Sequence, residues 1–270
     1  MRGTSSTRPR RAVASVAVTV ALGCVTACTS SDGPAGSTAS ADPSTAPLRS
    51  VERATARAGS ARVESTTVMG GELSLEATGA LGWDGGLTGT LKITYTGGTT
   101  AETMRRLGTT AMEARYLPDA YYARMGDEFA DRVGGRHWIK YGYADLEDLS
   151  GGAAGVADGM RRTTPDRTVK RLLASDDVRR VGQETTRGRR TTHWTGTVGG
   201  TAGQAGQTVD IWVDDRDLLV KKVERGRTET GELTQTAYYS DYGVEVAAER
   251  PPASDTADFT ELLRSAQDNG

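Results

Sequence analysis

The chain has 270 residues, 36% of them hydrophobic, with 33 basic and 35 acidic residues that give a net charge of −2. This balance provides no basic field of the kind that nucleic-acid binding requires, so nucleic acid is not expected as a partner. The cysteines are Cys24 and Cys28, so the chain beyond them has no disulfide, thiolate nucleophile or cysteine metal site. The fold must depend on a hydrophobic core, which a chain of this length can bury.

Residues 1–27 have the three zones of a secretory signal. Arginines without an acidic residue precede an apolar stretch from Ala12 to Gly23, which is too short to span a bilayer. Val25-Thr26-Ala27-Cys28 then resembles the bacterial lipobox, in which the cysteine is acylated and becomes the first residue of the mature protein. We therefore predict a lipoprotein signal peptide over residues 1–27. Lipid on Cys28 would hold the mature chain on the extracytoplasmic face of the cell membrane.

Three alternatives at the N-terminus stay open. The leader could be an ordinary signal peptide that contains cysteines, or Cys24 could be the acylated residue, although Leu22 then stands in the wrong place. Arg10-Arg11 could belong to a twin-arginine export signal rather than a general secretory one. Cleavage before Cys28 removes four arginines, which leaves 29 basic and 35 acidic residues and a net charge of about −6. Acyl chains would still bind the membrane, at about 0.8 kcal/mol for each buried CH₂.

A flexible tether and a single folded domain are predicted to follow the leader. Residues 28–47 are rich in Ser, Thr, Gly, Ala and Pro, which bury little apolar area and favour a solvated chain. The domain is predicted to span residues 48–268. It starts with a helix, because Leu48, Val51, Ala54 and Ala58 recur at helical spacing before Gly59.

Alternating apolar and polar residues then predict about ten strands, and turn residues separate them. One buried and one solvated face is the pattern of an antiparallel sheet. The predicted strands are Ala61–Met69, Glu72–Trp83, Leu87–Tyr95, Ala111–Leu117, Ala120–Met125, Arg136–Tyr141, Val178–Thr186, Thr191–Val198, Thr208–Val213, Leu218–Arg225 and Leu233–Tyr242.

Helices are expected at the start, middle and end of this series. Val169, Leu172 and Leu173 follow Pro165 at helical spacing, and residues 145–149 suggest a further turn. Residues 259–263 mark a C-terminal helix, for which Asp255 or Thr256 is the expected cap. A long meander curls as its strands twist, and helices can cover its apolar face. The predicted fold class is therefore α+β, a large curved antiparallel sheet (a half-barrel) wrapped around a few helices, with a two-sheet sandwich as the alternative.

The residues give little support for catalysis. His137 and His193 each precede a tryptophan within a strand, so both are expected to face solvent on the side opposite that ring. Asp210, Asp214, Asp215 and Asp217 lack the closing Glu of a calcium loop, and a solvated turn explains them better. The motifs of nucleophile elbows, phosphate loops and dinucleotide sites are missing. We predict a protein that is not an enzyme, with no catalytic residue, metal or cofactor.

Several segments resemble a known family of lipoproteins. The chain resembles actinobacterial lipoproteins related to LppX and LprG, and more distantly the LolA/LolB lipoprotein carriers. The resemblance lies in the lipobox, the tether, the series of strands and five short segments. The similarity covers most of residues 48–265. The segments are Arg136–Lys140, Val181–Glu184, Thr191–Trp194, Val209–Asp215 and Tyr239–Gly243.

This resemblance implies a half-barrel whose concave face and helices enclose an apolar cavity for acyl chains. The expected ligand is a lipid or an acylated protein, and a monomer is favoured. Five residues of the second and third strands are the candidates for the cavity lining, although they would serve equally as plain core: Leu73, Leu75, Leu81, Leu91 and Ile93. The alternative function is a non-catalytic surface module for interaction or sensing, with no ligand cavity.

Overall fold

The computed structural model describes residues 45–148, 164–199, 206–228 and 230–268. Within these ranges the helices are α1 Ala46–Ala58, α2 Gly98–Arg106, α3 Asp127–Ala130, α4 Tyr143–Asp148, α5 Pro165–Leu173 and α6 Phe259–Asp268. The strands are β1 Ser60–Met69, β2 Leu73–Gly82, β3 Thr88–Gly97, β4 Ala111–Tyr116, β5 Ala120–Arg124, β6 Trp138–Gly142, β7 Arg179–Thr186, β8 Arg189–Val198, β9 Gln207–Asp214, β10 Leu219–Thr228, β11 Gly231–Ser240 and β12 Thr256–Asp258. Cys28 and almost all of the predicted tether lie outside the described residues.

All the described strands form one open, curved sheet. Their order is β12-β6-β5-β4-β3-β2-β1-β11-β10-β9-β8-β7, so β12 and β7 are the two edges and do not pair with each other. The pairs are antiparallel except β12 with β6, which is parallel. The predicted α+β fold with a large, curved antiparallel sheet is confirmed.

The path of the chain differs from one continuous meander. Strands β1 to β6 form one meander and β7 to β11 a second, and the two meet where β1 pairs with β11. Strands β6 and β7 are consecutive in sequence but are not neighbours in the sheet. Because β1 uses both of its edges, for β2 and for β11, the first strand lies in the middle of the sheet rather than at an edge.

The first helix forms as its residues predict. It begins with a proline in its first turn, buries Leu48, Val51 and Thr55, and ends at Gly59, whose φ of 68° is left-handed. A residue with a Cβ would be strained at this position, so the glycine stops the helix and lets β1 start at once.

Helices α2 and α3 and strand β12 were not predicted. Helix α2 is mostly polar and buries only Ala101 and Met104, so its apolar period is too weak to indicate a helix. Strand β12 lies where a helix cap was expected. The carboxylate of Asp258 accepts hydrogen bonds from the backbone N–H and the hydroxyl of Thr260, at 3.0 and 2.7 Å, and therefore supports the start of α6 in place of Asp255 or Thr256.

Helices α1 and α5 contact each other and pack on one face of the sheet, which we call the inner face. Its core joins Leu48 and Val51 of α1, Val169 and Leu172 of α5, and side chains of strands on both sides of the β1–β11 pair. Burial of this apolar surface is the main driving force for folding.

Asp177 fastens the turn after α5 to strand β8. Its carboxylate accepts hydrogen bonds from the Ser175 hydroxyl and from the backbone N–H and hydroxyl of Thr197. These bonds lower the pKa of Asp177 to about 2, the bond from Ser175 having the largest effect.

We expect Asp177→Asn to reduce the acid sensitivity of unfolding. A lowered native pKa gives a stability contribution that is complete above the unfolded pKa, near 3.8, and is lost as the pH falls toward about 2. Urea unfolding should be measured at about pH 6, 4, 3 and 2.5, values that bracket this window. The free energy of unfolding should fall less toward low pH in the variant than in the wild type. Asp176→Asn, at an exposed neighbour, should keep the wild-type loss. Equal losses in all three proteins would contradict the role of Asp177.

Candidate functional site: the inner face of the sheet

The structure places the five predicted lining residues on the inner face but gives them different degrees of burial. Leu81, Leu91 and Ile93 are 0%, 4% and 8% exposed and belong to the main core, whereas Leu73 and Leu75 are half-buried. These burial values divide the predicted set into three core residues and two residues near accessible surface. Their role in binding a ligand stays a prediction.

Two glycines explain why Leu81 and Leu91 are buried in the core. Gly89 pairs with Leu81 across β2 and β3, and Gly79 pairs with Leu91. A Cβ added at either glycine would lie 2.8–2.9 Å from a methyl group of the paired leucine. The leucine side chains therefore lie flat over the neighbouring strand, in space that a larger residue at the glycine would occupy.

Half-buried apolar side chains continue from Leu75 across the next three strands. Register pairs Leu75 with Tyr95 and Ile93 with Met112, and Met125 follows the end of β5. We call Leu75, Tyr95, Met112 and Met125 the inner strip, because each packs against the core and keeps part of its surface accessible. The Tyr95 hydroxyl lies 3.5 Å from the Met112 sulfur.

Tyrosines converge beside the inner strip. Rings of Tyr116 and Tyr121 are 5.2 Å apart between centroids, Tyr121 and Tyr141 are 5.6 Å apart, and Tyr141 and Phe259 are 4.7 Å apart. Burial raises the pKa of Tyr95, Tyr121 and Tyr141, and neighbouring phenols add to the shift of the last two, so these groups stay neutral. They provide an apolar surface with a few hydroxyl groups.

Most of this aromatic group was not predicted from the sequence. Tyr116, Tyr121 and Tyr141 lie on three separate short strands, and the register of these strands puts all three on one face of the sheet. Only the pairing of β4, β5 and β6 brings the three rings side by side.

Surface pockets of several hundred Å³ lie on the described part of the chain. One of about 930 Å³ lies beside α5, one of about 470 Å³ lies by β4 and β5, and one of about 530 Å³ lies between α1 and strands β7 to β9. None of these three is lined by the five predicted cavity residues. The second is bordered by Met112 and Met125 of the inner strip.

Both histidines are bound by carboxylates, and the expectation that both face solvent is wrong for His193. The His193 side chain is 18% exposed, its Nε2 lies 2.9 Å from Asp210 Oδ1, and its ring stacks on Trp212 at 4.4 Å. His193 and Trp212 are paired across β8 and β9, so the indole covers the imidazole. His137 is 31% exposed, with Nδ1 at 2.7 Å from Asp255 Oδ1.

The aspartate group at the β9–β10 hairpin is also less solvated than expected. Asp215 and Asp217 are exposed, but Asp210 and Asp214 are buried. Asp214 Oδ1 accepts the backbone N–H groups of Arg216 and Leu218, each at 3.0 Å, which fixes the turn. Within the described ranges no group of three or more His, Cys, Asp or Glu residues could hold a metal ion.

The fold defines a class of protein. The structure matches the crystal structure of the lipoprotein LppX from Mycobacterium tuberculosis with a TM-score of 0.50 at 16% identity, over 76% of this chain and 97% of that chain. A crystal structure of LprF from Mycobacterium bovis matches with a TM-score of 0.48 at 14% identity, over 78% of this chain and 97% of that chain. The resemblance to LppX-related lipoproteins is confirmed, and the likeness to LppX shows a shared fold.

Sequence relatives identify the family. The chain is 74% identical to the Streptomyces coelicolor protein named "Putative lipoprotein SCO4650", over 97% of this chain and 99% of that protein. It is 48% identical to an "Uncharacterized 31.2 kDa protein in rplA-rplJ intergenic region" of Streptomyces griseus, over 58% of this chain and 59% of that protein. The chain therefore belongs to the family of the Streptomyces coelicolor protein. No protein-family model matches it.

No helix within the described residues is long and apolar enough to cross a bilayer.

Proposed function

We propose that the chain is a lipoprotein anchored through acylated Cys28 on the extracytoplasmic face of the membrane, and that its inner face binds a lipid or an acylated ligand. The lipobox sequence around Cys28 and the relative's printed name support the anchor. The LppX-like fold supports a role in lipid binding rather than catalysis.

The observation that carries the binding proposal is the inner strip. Leu75, Tyr95, Met112 and Met125 belong to the face that elsewhere is covered by α1 and α5, yet they keep accessible surface. Apolar area that folding leaves accessible is available to an acyl chain, at roughly 25 cal/mol for each Å² removed from water. Linear chains suit a strip that runs across several strands.

We expect Leu75→Glu to weaken binding of an acyl ligand by at least about tenfold, because the new carboxylate loses hydration when a hydrocarbon chain covers it. Val68→Glu is the matched control. Val68 lies on the neighbouring strand, points to the outer face and is 41% exposed. Delipidated protein should be titrated with a fluorescent fatty acid, and the ligands retained from a total membrane lipid extract should be identified by mass spectrometry.

Wild-type protein that retains no acyl species in repeated trials would disprove lipid binding. Equal weakening by Leu75→Glu and Val68→Glu would place the binding surface elsewhere.

A non-catalytic interaction or sensing module is the second candidate. The complete burial of Leu81, with Leu91 and Ile93 nearly as buried, favours it, because a filled interior needs no ligand. The same lipid-retention assay separates the two functions.

A further inference from the structure

The inner face carries charged residues on β10, far from the inner strip in sequence. Lys222 is opposite Ile211 in β9 and Ala237 in β11, both core residues of the inner face. Lys222 is 1% exposed, so its ammonium group is buried on the side of the sheet that α5 covers.

A β-bulge causes this arrangement. The register of β10 against β9 shifts between Leu219 and Lys221, and Leu219 lies in the core before the shift. With regular alternation, Val223 would share the face of Leu219. The extra residue turns Val223 to the outer face and turns Lys222 and Glu224 inward. Strand β10 therefore presents two charged side chains to the inner face, whereas regular alternation would have placed Val223 there.

Two cations share one carboxylate at this place. Lys222 Nζ lies 3.5 Å from Glu224 Oε2, and Arg171 Nη1 of α5 lies 3.3 Å from Glu224 Oε1. Arg171 Nη2 lies 3.4 Å from the Gln207 side-chain oxygen. These distances exceed the 2.7–2.9 Å of strong charge-assisted bonds. Together these three side chains carry a net charge of +1.

The charge group is connected to the inner strip by one row of facing residues. Glu224 faces Gln235, Gln235 faces Thr67, Thr67 faces Leu75, and Leu75 faces Tyr95. All five are half-buried, so the row is a track of accessible surface across the inner face. At 4.7–4.9 Å between strands, about 14 Å separates Glu224 from Leu75. The track is charged at β10, polar at β11 and β1, and apolar at β2 and β3.

We propose that the ligand is an amphiphile with an anionic headgroup, a phosphate or a carboxylate, bound by Arg171 and attracted by buried Lys222, while its acyl chain follows the track toward Leu75. This inference rests on the proposed lipid binding and names the ligand's chemical class. Arg171 makes the contact because its side chain is 24% exposed and lines the 930 Å³ pocket beside α5. Lys222 acts through its charge.

The buried ammonium fits this role. Burial lowers the pKa of Lys222, Glu224 opposes the shift, and Arg171 adds to it. A bound anion would stabilise the ammonium form and offset the repulsion from Arg171. Burying the Lys222 ammonium costs folding free energy that its 3.5 Å contact with Glu224 offsets only in part. A role in binding an anion would explain why a charged residue is kept at this position.

Displacement of a fluorescent fatty acid from delipidated protein tests the headgroup. The competitors share palmitoyl chains: palmitate carries a carboxylate, dipalmitoyl phosphatidylglycerol a phosphate, and dipalmitoylglycerol no charge. We expect at least one anionic competitor to bind about tenfold more tightly than the neutral one, which corresponds to about 1.4 kcal/mol. The carboxylate and phosphate arms show which anion is preferred.

Variants assign the preference to the proposed residues. Arg171→Met and Lys222→Met should each abolish the preference for an anionic competitor over dipalmitoylglycerol. Glu224→Gln should strengthen anion binding, because it frees both cations. Lys92→Met, at an exposed cation on the outer face of β3 and away from this pocket, should behave as wild type. Arg171 is partly exposed, so its variant should fold even if Lys222→Met does not.

Equal affinity for charged and neutral competitors in the wild type, or an unchanged preference in Arg171→Met, would overturn the headgroup site and leave lipid binding intact. No binding of any competitor would instead overturn the proposed function, and the headgroup site with it.

Discussion

Cys28→Ala is expected to reduce lipid attachment to background. The acyl groups of a lipobox protein are carried by the cysteine sulfur, and alanine offers no atom to which they can be joined. The change is expected to remove the proposed membrane anchor, to which each acyl chain would contribute about 0.8 kcal/mol for every CH₂ that it buries in the bilayer. Metabolic labelling with a palmitate analogue, followed by the mass of the N-terminal peptide, measures the effect.

Cys24→Ala is the matched control for this experiment. Cys24 lies four residues earlier in the same leader, and its replacement should leave labelling and the mature mass unchanged. Loss of label with Cys24→Ala and its persistence with Cys28→Ala would move the anchor to Cys24. Label in both variants would exclude the lipobox interpretation.

Leu81→Ala is expected to destabilise the domain by about 2–5 kcal/mol, the usual cost of a Leu→Ala change in a well-packed core. Leu81 is 0% exposed and lies over Gly89 of the neighbouring strand, which has no side chain to fill the space that the leucine leaves. Urea unfolding should show a lower midpoint with an unchanged slope.

Two further variants make this result informative about function. Val68→Ala, on the outer face, should change stability by about 0.5 kcal/mol or less. Leu75→Ala should lie between the two in stability and should weaken acyl binding, whereas Leu81→Ala should not weaken it while folded. A loss of binding without a loss of stability in Leu81→Ala would instead support the original interpretation of Leu81 as a lining residue.

Local patterns were sufficient to predict most of the elements. Alternation located the strands within a few residues, and Gly59 correctly marked the end of α1. The same patterns failed where an element has little apolar character, as in α2, or is only three residues long, as in β12. The spacing of apolar residues and the glycines and prolines at turns and helix ends are local features of the chain, so they can be recognised without a structure.

The candidate site was predictable only in part. Alternation showed that Leu73, Leu75, Leu81, Leu91 and Ile93 share a face. It could not show which of them α1 and the facing strands cover, because coverage depends on residues distant in the chain. His193 was misplaced for the same reason, since its burial comes from Trp212 on the neighbouring strand.

Residue patterns alone were sufficient to predict the lipobox at Cys28, the α+β class and the direction in which most strand side chains point. The pairing of β1 with β11, the β10 bulge that turns Lys222 and Glu224 inward, and the accessible surface of the inner strip became visible only in the folded chain. The two sets of features depend on interactions of different range. Side-chain alternation follows from local backbone geometry, whereas strand order, register shifts and burial depend on contacts between distant segments.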